Sequence, residues 1–157
     1  MRVISLPDWD VRTYTPPPEV RGILAAPPCT EFALSGAKWW KDKPPELLAE
    51  ALEIFDACMK IIEQVQPKWW AVENPVGRLR KLRSLGKPTL SFNPCDYGDP
   101  WNKRTLVWGE FNLPTKTPVE GGPFPGWTSL GGKSERTKRL RSITPPGFAQ
   151  AFFEANP

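Results

Sequence analysis

Histidine is absent from all 157 residues. Its absence excludes Ser-His and Cys-His hydrolytic machinery and every histidine-ligated metal site. Cysteine is scarce: Cys29, Cys58 and Cys95 are odd in number, far apart and without a Cys-x-x-Cys pair. That pattern argues against a disulfide framework or a zinc site, so no metal is expected, and it fits a reducing cytoplasm. Long apolar runs are missing too, as are a secretory leader and a lipidation signal, so no membrane partner is expected.

What is present fits one domain over residues 1–157, long enough to bury a core. Apolar residues make up 39% and charged residues 24%, which describes a globular chain rather than a disordered one. Nine of the twenty prolines cluster at 16–18, 27–28, 44–45 and 145–146, where they stiffen connections between short elements. Net charge is +4, and its distribution matters more than its size. Residues 78–87, RLRKLRSLGK, carry Arg78, Arg80, Lys81, Arg83 and Lys87 without one acid. Residues 133–141, KSERTKRLR, include Lys133 and Arg136 and a single acid, Glu135. One such run is as readily a solvated helix face as a phosphate contact; two in one small domain favour a polyanionic partner.

Strand and helix patterns alternate along the chain. Residues 2–6 and 21–26 read as short buried strands. Pro44-Pro45 opens a helix on which Leu47, Leu48, Ala51, Ile54, Phe55, Cys58, Ile62 and Val65 share a face, so Cys58 reads as core. Residues 68–75, KWWAVENP, form a third apolar run, and residues 77–85 a short basic helix. Residues 89–94 and 105–111 read as strands, 112–132 as a long loop and 146–155 as a closing helix. Such alternation predicts a parallel α/β sheet, whose ligands lie beyond the carboxyl ends of the strands.

Two punctuated segments fall at those ends, APPC at 26–29 and VENP at 72–75. Cys29 reads either as a thiol closing a core strand or as a nucleophile. A thiolate adds to a conjugated ring carbon when an acid stabilises charge on the ring nitrogen. A carboxyl one crossover away, Glu73, is suited to that task, with Asn74 and Pro75 fixing its turn. Cytosine is such a ring, and in a duplex it must be extruded to be reached. The Trp39-Trp40 and Trp69-Trp70 pairs read as base-stacking or core residues.

PPCTEFALSG followed by VENPVG resembles the DNA (cytosine-5) methyltransferases, and so do residues 96–109 and 141–156, in the same order. The order and spacing are especially like those of short phage-borne members. The resemblance implies an α/β fold: a truncated Rossmann-like methyltransferase sheet, mostly parallel with one antiparallel strand, flanked by helices. It implies DNA as partner, a cytoplasmic bacterial host and S-adenosyl-L-methionine as methyl donor. Cys29 matches the family's nucleophile, and Glu73 and Asn74 its cytosine-binding pair. Pro28, Thr30, Lys103, Arg104 and Thr105 fall where substrate contacts are expected, and Arg78, Arg80, Lys81, Arg83, Lys133 and Arg136 where DNA is expected. Asp8 and Asp10 lie where acids contact the donor, Asp10 being the expected cofactor residue.

Three departures qualify that picture. The glycine-rich turn that holds the donor is missing ahead of Cys29, where Gly22 is the sole glycine. The central strand that carries the turn would be missing with it, exposing residues 22–26 as an edge; a strand-donating partner subunit or a homodimer is therefore expected. The basic positions after the Tyr-Gly turn hold Lys103 and Thr105 with Arg104 between them. The recognition region is reduced to 112–132, where Trp127 is a candidate wedge. Three functions remain: a cytosine-5 methyltransferase or its catalytic half; an altered or inactive descendant that binds cytosine in nucleic acid and modulates modification or restriction; and inherited packing residues without turnover.

Overall fold

The computed structural model describes residue 4 and residues 8–124 and 142–157. Gly22–Ala25 form β1 and Pro45–Val65 the long helix α1. Proline at its first turn suits α1, whose missing amide proton would have no intrahelical partner there. Gln66 ends it in the left-handed region at φ 47°. Trp69–Pro75 form β2, Leu79–Leu82 the single turn α2, Leu90–Phe92 β3, Thr105–Glu110 β4 and Pro146–Ala155 α3. A 3-10 helix, Leu34–Asp42, lies between β1 and α1, and a shorter one, Pro94–Tyr97, follows β3.

The strands lie in the order β1-β2-β4-β3. β1 and β2 are parallel, and β4 runs antiparallel to both β2 and β3. Three strands thus point one way and one the other, as the family resemblance implies for a truncated Rossmann-like sheet. Successive residues of β2 face opposite sides of the sheet. Val72 joins Ala25, Phe32, Phe55 and Ile62 beneath α1, while Ala71 joins Phe92, Val107, Phe148 and Phe152 beneath α3. Phe92 and Phe148 stack at 4.0 Å between centroids. Asn156 ties the end of α3 to the exit of β4: its Nδ2 donates to the Asn112 carbonyl at 3.0 Å, and Asn112 N donates to its Oδ1 at 2.7 Å.

The basic helix expected over 77–85 shrinks to α2. Ser84 at φ 50° and Gly86 at φ 67° turn the chain away before a second helical turn can form. The strand expected over 2–6 lies outside the described residues, as do Lys133, Arg136, Trp127 and part of the 112–132 loop. Among the described residues β1 is an edge strand, and its Leu24 is 43% exposed while Ala25 beside it is buried.

Candidate active site

β1 delivers the Cys29 turn, and β2 delivers Glu73 and Asn74, at the same end of the sheet. Their register is fixed by the parallel ladder, in which Leu24 lies beside Ala71 and Ala25 beside Val72. Pro27 is buried, Pro28 and Thr30 are exposed, and Cys29 is half-buried between them. The Cys29 carbonyl accepts hydrogen bonds from the Phe32 and Ala33 amides at 2.9 and 2.8 Å, which closes a tight turn directly behind the thiol.

Asn74 fastens that turn to the sheet. Its fully buried side chain donates through Nδ2 to the Pro27 carbonyl at 3.1 Å. A buried amide left without such a bond costs about 1–3 kcal/mol. Its Oδ1 has no hydrogen-bond partner. Gly77 allows the second fastening: the chain after the thiol bridges to it through Ala33, and a Cβ on Gly77 would collide with the Phe32 carbonyl.

Glu73 points to the opposite side of β2 from Asn74 and lies across the ladder from Val107. Burial pushes its carboxyl above the ordinary value, with Lys103 pulling partly the other way. It is therefore a carboxyl inclined to keep a proton, beside one cation. Thr105, buried, pairs with Pro75 and turns its hydroxyl to the Lys103 carbonyl at 3.0 Å. Arg104 is exposed and donates from Nε to Ser91 Oγ at 3.2 Å. β4 thus brings Lys103, Arg104 and Thr105 alongside Glu73, Asn74 and Pro75. Cys58, by contrast, packs against the core beneath α1, where burial pushes its thiol up to about 11.

The expected basic residues divide. Arg80 and Lys81 are exposed on α2. Arg83 pairs with Asp56 of α1 at 2.6 Å. Arg78 turns inward to the Cys29 loop, donating from Nε to the Glu31 carbonyl at 2.7 Å and lying 4.5 Å from the Trp40 ring centroid. Two further residues of the site went unread in the sequence. Glu31 is buried and paired with Lys43 Nζ at 2.8 Å, and the same ammonium donates to the Thr30 carbonyl at 3.3 Å. Their signal was slight, one acid two places after the thiol and one of several lysines.

Asp8 and Asp10, the acids expected to meet the methyl donor, line one cavity together. Asp10 is taken up by Arg12, whose Nη2 approaches its Oδ2 to 2.6 Å and whose Nη1 reaches on to Glu50 of α1 at 3.6 Å. Gly22 makes no turn. It lies within β1 under the Trp69 indole, which would clash with any Cβ there. Among the described residues no group of side chains is arranged to hold a metal ion, and no helix is long and apolar enough to cross a membrane.

No family model matches the chain. It is 28% identical over 172 residues to a Frog virus 3 protein named "Probable DNA (cytosine-5)-methyltransferase", with 91% of this chain and 78% of that protein covered. It is 24% identical over 145 residues to the type II methyltransferase M.DdeI of Desulfomicrobium norvegicum, with 82% of this chain but only 28% of the relative covered. Both likenesses take in most of the chain, and both relatives are named as methyltransferases. With the sheet order above, they support a cytosine methyltransferase assignment for the chain, which is similar to such proteins over most of its length.

Proposed function

We propose that the chain is the cytosine-attacking part of a DNA cytosine-5 methyltransferase, with Cys29 as nucleophile and Glu73 as acid. The observation that carries this reading is the fastening of the Cys29 turn to β2 by Asn74, next to a carboxyl that burial inclines to stay protonated. In the step these residues perform, the Cys29 thiolate forms a bond to C6 of an extruded cytosine. The C5–C6 π pair moves through the ring toward N3, which takes the Glu73 proton. The ring is left with an electron-rich C5 and the enzyme with a Glu73 carboxylate, which Lys103 stabilises. Arg80 and Lys81 supply salt-sensitive attraction for the DNA backbone. Pro28, Thr30 and Arg104 are exposed at the same end of the sheet.

S-adenosyl-L-methionine is the methyl donor the family resemblance implies, and the glycine-rich turn that holds it in the family is missing ahead of Cys29, where Gly22 lies within β1. A strand from a partner subunit or a second copy, laid along the exposed edge of β1, would complete the sheet on the side where that pocket belongs. Leu24→Lys tests this. The substitution leaves an isolated chain folded but abolishes an assembly that depends on this edge. A wild-type chain that elutes as a monomer and methylates DNA unaided would overturn the strand donation.

The missing glycine-rich turn also favours a second reading, a descendant that binds cytosine in nucleic acid and regulates modification without completing it. Incubation with DNA containing 5-fluorocytosine separates the two. A stable Cys29 adduct that requires S-adenosyl-L-methionine supports the methyltransferase. A weak adduct indifferent to the donor supports the altered descendant, and failure to retain DNA at low salt sinks both.

A further inference from the structure

Arg78 belongs by sequence to a DNA-facing basic run, yet its contacts are with the loop that carries the thiol. Its backbone amide donates to the Phe32 carbonyl at 2.9 Å and its Nε to the Glu31 carbonyl at 2.7 Å. The face of the same guanidinium lies over Trp40, in the 3-10 helix that follows the loop. Lys43 completes the grip from the far end of that helix, holding the Glu31 carboxylate and the Thr30 carbonyl. Both carbonyls directly after Cys29 are therefore held by cations from outside the loop.

We infer that Arg78 is a positioning residue for Cys29, fixing the turn behind the thiol rather than contacting phosphate. The inference rests on Cys29 being the nucleophile. A guanidinium is suited to the position because its Nε–H lies in the guanidinium plane and bonds the carbonyl while its charge lies over the indole. An ammonium can do either but not both. The bond is charge-assisted and joins segments far apart in sequence, so losing it frees the turn without unpairing the sheet. Small misplacements of a nucleophile are costly: a shift of about 1 Å lowers a rate about a hundredfold.

The test uses the full chain and the variants Arg78→Lys and Arg78→Ala. Alkylation by iodoacetamide is followed by peptide mass at all three cysteines. DNA affinity is measured across a salt series, and adduct formation on 5-fluorocytosine DNA is timed in a single turnover. In Arg78→Lys, Cys29 alkylates about tenfold faster as the turn loosens, while adduct formation slows about tenfold or more. Cys58 stays protected, which excludes general unfolding, and the salt slope is unchanged. Opposite movement of the two Cys29 rates is a signature that simple destabilisation does not give. If Arg78→Ala fails to fold, the lysine variant alone decides. Unaltered Cys29 alkylation overturns the inference, as does a salt slope reduced by about 1, the mark of a lost phosphate contact. If the wild-type chain forms no adduct but Arg78→Lys still unshields Cys29, the grip on the loop stands and the proposed chemistry falls.

Discussion

Cys29→Ser binds DNA as the wild-type chain does and forms no covalent complex with 5-fluorocytosine. A serine hydroxyl replaces a thiolate only where a base removes its proton, and this chain has no histidine to do so. Adduct formation is therefore expected to fall by more than about a thousandfold. Because the Cys29 side chain is half-buried at a turn, its stability cost is small, about 1 kcal/mol or less. Cys58→Ser and Cys95→Ser are the controls, and both keep the adduct. Band-shift titration alongside denaturing gel analysis reads affinity and adduct separately. A serine variant that still forms the adduct, or a control that loses it, would move the nucleophile elsewhere.

Glu73→Gln has the second large effect and a sign of its own. The amide keeps the shape of the side chain but has no acidic proton for N3, so adduct formation drops by about a hundredfold to ten-thousandfold. Stability moves the other way. The native carboxyl sits above its ordinary value of 4.5 because burial disfavours its charge, so the folded chain binds more protons there than the unfolded one. Wild-type stability is accordingly lost as pH rises from 4.5 through the raised native value, and no loss remains below 4.5. Glutamine removes that penalty. Thermal melts should show the variant more stable than wild type at pH 7 and indistinguishable from it at pH 4. In the wild type, adduct formation also decays as pH passes the native value of Glu73, and in the variant that decay disappears. A variant less stable than wild type at pH 7 would mean that Lys103 dominates and that Glu73 is an ordinary ion-pair partner.

Much of the sheet could be read from the sequence because its strands are apolar and sharply punctuated. The runs before Pro27 and around Val72 became β1 and β2, and the paired prolines at 44–45 marked the start of α1. The candidate residues Cys29, Glu73 and Asn74 stood out for a related reason, since each stands where an apolar strand stops abruptly. What stayed hidden depends on contacts between distant segments. Arg78 looks like Arg80 in any local window, yet one reaches the Glu31 carbonyl and the other faces solvent. The 3-10 helix, LSGAKWWKD, buries none of its residues and shows no clean helical period. Its shape comes from the fastenings at both ends, Leu34 N to the Val76 carbonyl at 2.9 Å and Lys43 to Glu31. Asp10 matched a family position, and its pairing with Arg12 two places away was not legible from that match.

The insertion of β4 between β2 and β3 has a consequence for how the chain comes into being. As it leaves the ribosome, β1, α1 and β2 emerge first, and β2 carries Glu73 with one side of its ladder still open. Nothing local can close it. Val107 and Leu106, which lie across from Glu73 and Asn74, emerge only after β3 has been made. Long-range pairing of this kind is slow to form and leaves an adhesive edge until it does. A nascent chain halted before Thr105 therefore already contains Cys29, Glu73 and Asn74, yet lacks the strand that closes β2 across from Glu73 and Asn74.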